Sequence, residues 1–370
     1  MKILFSVPRI HTNYTGMVKG LLDEGHRVSF VTMNSDEIYI PFNLDVTVHH
    51  FKRRKRFFFP EGKIKILHYE KFSKLKAVLE KEQPDIIIAR DFNVLNIQLS
   101  LIARSKRIPV LLYDQLPPNF QKTVKRKTWY LLARLLVSRY RMTTVKDNRT
   151  DELPDPPNTF FIPFVVPHTP VKKIYKDSIS PKNPLQIMVV SKLGASRKNL
   201  LFLFETLLPF FEKKLIHVSA YGMLKEDPKS RANFNKICNF IENHELSECI
   251  HLHPNELYEN VLNAYSNHDL YILPSLNEPA AVSHFEAMSS GLPVIVTEQN
   301  GTNYIIEEGQ NGFIYNPKSK RELQEKVSFF LDNPEKLEIF GRNAVKTVNL
   351  KYRPDNFSKS IMDIINRIID

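Results

Sequence analysis

The stretch 270–296 limits most narrowly what this chain can fold into. Leu270–Leu273 is a short apolar run that predicts a buried strand. Residues from 279 or 280 to 290 favour a helix with one apolar face, and the Gly-Leu-Pro sequence at 291–293 ends it. A second apolar run, 294–296, follows at once. A strand, a loop, a helix and another strand in this order predict a parallel α/β unit.

The same alternation runs through the rest of the chain, which places the protein in the α/β class. Apolar runs that predict strands occur in both halves, at 2–7, 28–33, 86–89, 110–113, 159–162, 186–190, 216–221 and 250–252. Eight prolines fall between residues 151 and 184. We therefore expect an interdomain linker at 165–184, with one domain before it and one after it.

Composition predicts a soluble globular protein with two domains. A length of 370 residues with 42% apolar residues is enough for two ordinary cores. The first apolar run is too short for a signal peptide, and no window is long and apolar enough to span a membrane. The only cysteines, Cys238 and Cys249, have no metal-like spacing. These features predict a cytoplasmic location.

The charge balance predicts attraction to polyanions. The chain carries 52 basic and 40 acidic residues, a formal net charge of +12. Phosphorylated substrates, anionic lipid and nucleic acid all fit that charge. No zinc-finger spacing, RNP-like aromatic string or zipper is visible, so nucleic acid is not expected as a partner.

Two glutamates in the 270–296 unit are candidate site residues. Glu278 comes just past a strand, and Glu286 is expected about two turns inside the following helix, so both can face one crevice. Between them, Ala281 and Val282 belong to a small-residue helix start whose amides could hold a phosphate. The alternative makes Glu278 a carboxylate at the helix entry and Glu286 part of a solvated face.

A second candidate lies where the predicted strand 186–190 ends. Lys192, Arg197 and Lys198 stand between that strand and a helix from about residue 200, with a single glycine among them. Cations at a strand's carboxyl end, just before a helix, suit a phosphate. They could also be ordinary exposed charges on a loop.

The second half of the chain resembles one family. Glu278, seven intervening residues, Glu286-Ala287-Met288, then Gly-Leu-Pro-Val-Ile at 291–295, then Gly301 and Asn-Gly-Phe at 311–313 are similar to the donor-site signature of retaining GT-B glycosyltransferases of family four, the glycosyl transferases group 1. The likeness covers most of 185–350. In the first half it is topological only.

The resemblance implies a GT-B fold of two doubly wound Rossmann-like domains facing a central cleft. It implies an acceptor-binding domain at 1–164, the linker at 165–184, and a nucleotide-sugar-binding domain at 185–350. It also implies a terminal helix at 351–370 that crosses back to the first domain.

The resemblance also implies roles for the candidate residues. Lys192 and Lys198 match the family's basic pair, with Arg197 as an alternative second cation. These cations and the amides of Ala281 and Val282 would meet the phosphates. Glu286 would hold the ribose, Glu278 would hold sugar hydroxyls, and Thr302 would contribute to the phosphate or sugar contact.

Candidates in the first half rest on weaker signals. Arg9 and His11 lie in the loop after the first strand, where many relatives carry paired glycines and this chain has one. They could meet a phosphate or the acceptor, or they could be surface residues. Arg90 and Asp91 stand where many relatives place a histidine. Asp91 could serve as a general base or orient the acceptor, and Arg90 could bind a phosphate, unless the two only pair with each other.

Two segments that combine basic and apolar residues could contact an anionic membrane surface. Residues 49–59 combine five cations with three consecutive phenylalanines, and residues 122–141 form a predicted basic amphipathic helix. Either segment could instead pack on the first domain. If they meet lipid, the protein is peripheral on the inner face of the plasma membrane.

The predicted function is transfer of a hexosyl unit from a nucleotide diphosphate sugar to an acceptor hydroxyl, with retention at the anomeric carbon. The acceptor is expected to be a glycan or a lipid-linked molecule of bacterial surface polysaccharide, lipopolysaccharide or glycolipid assembly. No cofactor and no metal are expected, because cations can neutralise the leaving phosphate. Alternatives are an inverting enzyme with Asp91 as base, a non-catalytic nucleotide-sugar-binding protein, and a membrane-surface scaffold.

Overall fold

The structure is a computed structural model. It describes residues 1–33, 44–51, 70–116, 124–146, 157–166 and 173–369. The chain divides into two compact units. Unit 1 comprises Met1–Pro167 together with Tyr352–Asp370, and unit 2 comprises His168–Lys351.

Unit 1 is built on a seven-stranded parallel sheet. Its strands are β1 (Lys2–Val7), β2 (Arg27–Thr32), β3 (Thr47–His50), β4 (Ile86–Arg90), β5 (Val110–Asp114), β6 (Tyr140–Thr143) and β7 (Thr159–Phe161). Their spatial order is β3-β2-β1-β4-β5-β6-β7. The direction of winding reverses between β1 and β4, and open α/β sheets bind ligands beyond the carboxyl ends of their strands at such a point.

In the described part of unit 1, four helices connect these strands: α1 (Thr15–Asp23), α2 (Phe72–Glu82), α3 (Val94–Ser105) and α4 (Val124–Leu136). Helix α3 begins where the Asn93 side chain accepts a hydrogen bond from the Asn96 amide at 3.0 Å. Helix α2 ends at Glu82, and the next residue, Gln83, adopts the left-handed conformation with φ 45°.

Unit 2 repeats the design with a six-stranded parallel sheet. Its strands are β8 (Leu185–Val190), β9 (Ile216–Gly222), β10 (Ile250–Pro254), β11 (Leu270–Leu273), β12 (Val294–Thr297) and β13 (Gly312–Tyr315). Their spatial order is β10-β9-β8-β11-β12-β13, so the reversal falls between β8 and β11. The helices are α5 (Leu200–Glu212), α6 (Pro228–Asn243), α7 (Tyr258–Tyr265), α8 (Ser283–Ser289), α9 (Lys320–Asp332) and α10 (Glu335–Lys351).

The last helix, α11 (Pro354–Ile369), belongs to unit 1 and packs against α1. The two backbones approach so closely that a Cβ atom at Gly20 would lie 2.1 Å from the carbonyl oxygen of Pro354. Ser358 also donates a hydrogen bond to the Glu24 carboxylate at 2.8 Å. A side chain at position 20 would therefore force the helices apart.

Both sheets have apolar cores, and most residues of their central strands are buried. All four residues of β11 are 0% exposed, as are Ile86, Ile87 and Ile88 of β4. Such uninterrupted burial is expected of parallel strands covered by helices on both faces. The α/β class expected from the sequence is confirmed, because both sheets are parallel and lie among helices.

Strand β6 was not predicted, because the sequence assigned its first residues to the end of a helix. Helix α4 ends at Leu136, and Tyr140 and Arg141 lie in the strand. Arg141 is 1% exposed and forms two hydrogen bonds of 2.7 Å with the Asp114 carboxylate, which ends β5. This paired charge lets an arginine occupy a central strand.

Helix α4 contacts the core of unit 1 but leaves three of its leucines exposed. Its leucines Leu131, Leu132 and Leu135 are 65%, 43% and 67% exposed, whereas Ala133 and the following Val137 are buried in the core. Packing on the sheet therefore accounts for only one side of this basic helix. The other basic segment, 49–59, lies for the most part outside the described residues; His49 and His50 belong to β3, which was also not predicted.

In the part of the chain that the structure describes, no helix has both the length and the hydropathy needed to cross a membrane.

Candidate functional site

Two loops meet at the reversal point of the unit 2 sheet. One follows β8 and covers residues 191–199; the other follows β11 and covers residues 274–282. A hydrogen bond from the Leu276 amide to the Arg197 carbonyl, 2.9 Å long, joins them. The sequence-predicted residues of unit 2 lie on these loops or on the elements beside them.

The charged centre of the site is a cluster of Lys198, Arg197 and Glu278. The Lys198 ammonium is in direct contact with Glu278 Oε2, and the Arg197 guanidinium lies 3.1 Å from the same oxygen. Arg197 also donates to the Asn277 carbonyl at 2.8 Å. Lys198 and Glu278 are each 7% exposed, so this ion pair is shielded from water.

The environment of this cluster shifts the pKa of both its buried members. Burial alone would raise the pKa of Glu278, but Lys198 and Arg197 together hold it below its usual value. Burial lowers the pKa of the Lys198 ammonium, although Glu278 opposes that change. Glu278 therefore stays ionised at neutral pH, and two cations compete for one of its oxygens.

Lys192 stands two residues beyond β8 and is partly exposed. It lines a cavity of about 340 Å³ together with Arg197. The structure thus brings Arg197, Lys198 and Glu278 into contact and places Lys192 on the same loop.

Helix α8 begins later than the sequence predicted. Its first residue is Ser283, so Ala281 and Val282 precede the helix instead of forming its first turn. The cause is tertiary: Glu278 forms a parallel bridge with Asn300, and its amide donates to the Gln299 carbonyl at 3.0 Å. Residues 279–282 therefore lack the helix dipole that was expected to stabilise an anion there. At these positions a phosphate would meet the amides of a loop.

Glu286 lies one turn inside α8, not two, and it is enclosed by tyrosines. It is 5% exposed, and its carboxylate accepts hydrogen bonds from the hydroxyls of Tyr258 and Tyr265. Burial raises the pKa of Glu286, and the two hydroxyls offset part of that effect. It is therefore not the solvated carboxylate of the alternative reading.

Tyr271 of β11 connects the surroundings of the two glutamates. Its hydroxyl shares a 2.6 Å hydrogen bond with the Ser283 hydroxyl at the start of α8. Burial raises its pKa, and the nearby Glu286 and Glu278 carboxylates contribute to the increase. Both carboxylates are thus near enough to act on one phenol.

Thr302 is buried and forms hydrogen bonds within the site. It is 0% exposed, and its hydroxyl lies 3.0 Å from the Ala281 carbonyl and 2.7 Å from Asn300 Oδ1. A 3₁₀ turn, Asn303–Ile305, follows it. The Thr302 side chain therefore holds the backbone of the 281–282 segment in place.

His284 is a residue at this site that sequence reasoning missed. It is 0% exposed, its Nε2 atom lies 3.2 Å from the Thr302 carbonyl, and its Nδ1 atom has no hydrogen-bond partner among the described residues. Burial lowers its pKa to about 4. The imidazole is therefore neutral, and Nε2 carries the proton that it donates to Thr302. The one signal for it in the sequence is its position among the apolar residues of a helix that packs on the core.

The unit 1 candidates lie at the reversal point of the other sheet. Arg90 ends β4, donates to the Tyr14 hydroxyl and to Gln115 Oε1 at 2.8 Å each, and packs over the ring of Tyr113. Its Nε atom is 3.7 Å from Asp91. The Arg90 guanidinium is thus directed mainly towards these neighbours, and its ion pair with Asp91 is loose.

Asp91 adopts an unusual backbone conformation and keeps a half-exposed side chain. Its φ is 65°, in the left-handed region that is unfavourable for non-glycine residues. The Asn96 amide group holds it there by donating to the carbonyl oxygens of Arg90 and Asp91, at 2.6 and 2.7 Å. Partial burial raises the pKa of the Asp91 carboxyl, against the opposing effect of Arg90.

Arg9 and His11 lie in the loop between β1 and a short 3₁₀ turn, Thr12–Tyr14. Both are partly exposed, and the His11 carbonyl accepts the Tyr14 amide at 3.0 Å. The structure places both residues beyond the carboxyl end of β1, the strand beside β4, without assigning them a role.

Among the described residues, no group of three or more His, Cys, Asp or Glu side chains is arranged to hold a metal ion.

Two family models together match most of the chain. The model "Glycosyl transferases group 1" matches residues 172–347, and "Glycosyl transferase 4-like" matches residues 2–134. The chain belongs to the group 1 glycosyl transferases, and its two parallel sheets with their helices form a GT-B fold.

Individual relatives match shorter stretches. The chain is 37% identical over 84 residues to sulfoquinovosyl transferase SQD2 of Arabidopsis thaliana, covering 22% of this chain and 16% of that protein. It is 27% identical over 105 residues to spore coat protein SA of Bacillus subtilis, covering 28% of each. The chain thus spans less than a third of the length of these curated relatives.

The fold likeness extends over the whole chain. HepE of Anabaena, in complex with UDP and glucose, superimposes with a TM-score of 0.73 at 15% identity and 99% coverage of both chains. At that identity the likeness describes the fold alone.

The buried His284 predicts a defined pH dependence of stability. Its pKa rises from about 4 in the folded protein to about 6.5 on unfolding, so the unfolded state binds the extra proton. Its contribution is complete above pH 6.5 and falls as the pH drops towards 4. Between pH 7 and pH 5, we expect the free energy of unfolding of the wild type to fall by about 2 kcal/mol more than that of His284→Gln. Urea unfolding at the two pH values measures both. Equal losses in both proteins would contradict this role.

Proposed function

We propose that the protein transfers a hexosyl unit from a nucleotide diphosphate sugar to an acceptor hydroxyl, with retention of anomeric configuration. The observation that carries the proposal is the cluster of buried Lys198, buried Glu278 and exposed Arg197 at the reversal point of the unit 2 sheet. Cations held beyond the carboxyl ends of β8 and β11 suit a diphosphate that gains charge as it leaves.

The donor would lie across the two loops and the start of α8. Lys198 and Lys192 stabilise the leaving diphosphate, aided by Arg197 and by the amides of Ala281 and Val282. Among the described residues, these two amides donate no hydrogen bond, which leaves them open to a phosphate oxygen. The Thr302 hydroxyl donates to the Ala281 carbonyl and so holds the neighbouring backbone in place. This contact favours a fixed loop.

The two glutamates take different parts of the donor. Glu286 accepts the ribose hydroxyls, which replace the hydroxyl of partly exposed Tyr258. Glu278 orients sugar hydroxyls through the oxygen that the cations leave open. Because two cations hold Glu278 Oε2, this carboxylate is a weak nucleophile. The acceptor oxygen therefore attacks the anomeric carbon from the face that the diphosphate leaves, as that bond breaks, and passes its proton to the departing phosphate oxygen.

The acceptor is assigned to unit 1, where Arg9, His11, Arg90 and Asp91 lie beyond the carboxyl ends of β1 and β4. We propose a glycan or lipid-linked acceptor from bacterial surface polysaccharide, lipopolysaccharide or glycolipid assembly. The exposed leucines of the basic helix α4 favour a peripheral location on the cytoplasmic face of an anionic membrane.

The proposed reaction uses no metal ion or other cofactor. The charge of the leaving diphosphate is met by Lys192, Lys198 and Arg197, the role that a divalent cation plays in other phosphate chemistry.

A second candidate is an inverting transferase in which Asp91 is the general base. Its raised pKa and its strained backbone at a strand end favour this option, since strained residues concentrate at functional sites. The two mechanisms differ in the anomer that they produce.

Replacing Lys198 by glutamine tests the proposed leaving-group role. We expect Lys198→Gln to lower kcat about 10²–10³-fold, because one preorganised charge next to the leaving diphosphate is lost, with a smaller change in the preference between sugars. The assay is steady-state transfer or donor hydrolysis with the nucleotide sugars UDP-glucose, GDP-mannose and ADP-glucose.

A matched control exists at the other end of β11. Lys176 lies 3.1 Å from Asp269, a buried carboxylate immediately before this strand. Lys176→Gln removes a lysine–carboxylate pair of the same kind and should leave kcat within about threefold of wild type. A wild-type kcat in folded Lys198→Gln would remove Lys198 from the reaction.

The product anomer decides between the retaining and inverting mechanisms. An α-linked donor should give an α-linked product, and Asp91→Asn should keep product formation within about tenfold of wild type, because no base at Asp91 is needed. NMR spectroscopy of the purified product measures the linkage. A β-linked product, lost in Asp91→Asn, would establish the second candidate instead.

A further inference from the structure

The backbone that precedes α8 is held by its neighbours and not by helix geometry. Helix α8 begins at Ser283, so the amides of Ala281 and Val282, which the proposed function assigns to the leaving diphosphate, precede its first turn. The direction of an amide on such a segment depends on the contacts of the segment. The contacts that fix residues 278–284 therefore decide how well these two amides can meet a phosphate.

Backbone hydrogen bonds fix one end of this segment. Residues 278–284 pass beside residues 299–302, where the Glu278 amide donates to the Gln299 carbonyl at 3.0 Å. The Glu278 carbonyl accepts from the Gly301 amide, also at 3.0 Å. These bonds hold the segment at its first residue, three and four residues before the two amides, which need a further contact to be fixed.

Side chains supply that contact at the other end. The Thr302 hydroxyl donates to the Ala281 carbonyl at 3.0 Å, and the Thr302 carbonyl accepts a 3.2 Å hydrogen bond from Nε2 of His284. Thr302 and His284 are both 0% exposed, so these bonds lie in the protein interior, where hydrogen bonds are stronger. His284 thus holds Thr302 by its carbonyl, and Thr302 holds the segment by its hydroxyl.

The hydrogen-bond donor of His284 is what distinguishes it from an apolar residue at this position. A carbonyl oxygen only accepts, so Nε2 carries the proton, and burial keeps the ring neutral by lowering its pKa to about 4. Nδ1 finds no donor within the described part of the chain. Because a buried acceptor without a partner is unfavourable, an apolar side chain would fill the space better. The contact with Thr302 is therefore the feature that a histidine provides here.

We propose that His284 is a positioning residue of the donor site, which acts through Thr302 to direct the Ala281 and Val282 amides towards the donor diphosphate. The inference rests on the proposed transferase function, because these amides have that task only where a diphosphate lies beside them. His284 is fully buried and acts without touching the donor.

Calorimetric titration with inorganic pyrophosphate tests this role, because pyrophosphate can meet the amides and cations but has no ribose or base. His284→Leu lacks a donor, and the amide of His284→Asn is one bond too short to reach Thr302. Each variant should bind pyrophosphate about tenfold more weakly than the wild type. His284→Gln carries the same amide one carbon further out and should recover most of that loss. Equal affinity in all four proteins would overturn the proposal.

A matched control lies just before β11. His268 is 6% exposed, and its Nδ1 atom lies 2.7 Å from the Ala264 carbonyl. His268→Leu therefore removes another buried hydrogen bond between a histidine and a carbonyl in unit 2. It should bind pyrophosphate within about threefold of the wild type. A loss as large as that in His284→Leu would indicate a general disturbance of unit 2 and overturn the specific role.

A double-mutant cycle with Thr302→Val tests whether His284 acts through Thr302. Valine has the shape of threonine but lacks the hydroxyl that holds Ala281, so Thr302→Val alone should also lose about tenfold in affinity. Adding His284→Leu should then lose little more, because both changes break the same connection. A combined loss of roughly a hundredfold, as expected of independent effects, would overturn the connection through Thr302.

The variant Lys198→Gln separates this inference from the proposed function. Binding of pyrophosphate that is weakened in Lys198→Gln but unchanged in His284→Leu would overturn the positioning role and leave the donor site standing. No binding, or binding unaffected by Lys198→Gln, would remove the diphosphate from this site and the positioning role with it. Urea unfolding of each variant verifies that it is folded.

Discussion

The contact between Lys198 and Glu278 is the interaction on which the candidate site depends. Removing Glu278 would leave Lys198 as a buried, uncompensated charge, a loss that costs about 3–5 kcal/mol in proteins. Removing Lys198 would leave Glu278 with Arg197 as its remaining cation in the cluster. The pair also joins the loop after β8 to the loop after β11, and the Leu276–Arg197 hydrogen bond reinforces that junction. Charge pairing thus holds the two connections together at the point where the sheet reverses.

The two glutamates of the unit are stabilised in opposite ways. Glu278 is held between cations, which keep its pKa low, whereas Glu286 is enclosed by phenol hydroxyls in an apolar setting that raises its pKa. Carboxyl groups with such different environments are suited to different roles. The surrounding residues therefore distinguish two side chains that are equivalent in sequence.

The sequence predicted much of this arrangement, because apolar runs and turn residues are local signals. Residues Lys2–Val7 and Leu270–Leu273 form the strands expected from them. The failures have long-range causes. Arg141 belongs to a strand because Asp114, 27 residues earlier, pairs with it, and the backbone before Ser283 is non-helical because Asn300 and Thr302 bind it.

The same distinction between local signals and long-range contacts applies to the site. The position of cations and carboxylates beyond strand ends could be predicted from the order of elements, since parallel strands bring their carboxyl ends to one edge. The contact of Arg197 with Glu278, the tyrosines around Glu286 and the buried His284 depend on side-chain packing between elements far apart in sequence. No local pattern encodes them.

The most direct test of the account is a thermal-shift screen against UDP, GDP, ADP, CMP and their common sugar conjugates, without added metal. A ligand at a hundredfold excess over its Kd stabilises the folded state by about 2.7 kcal/mol. We expect one nucleotide to raise Tm selectively and this shift to disappear in Glu286→Ala. No shift with any nucleotide, or an equal shift in Glu286→Ala, would contradict a donor site in unit 2.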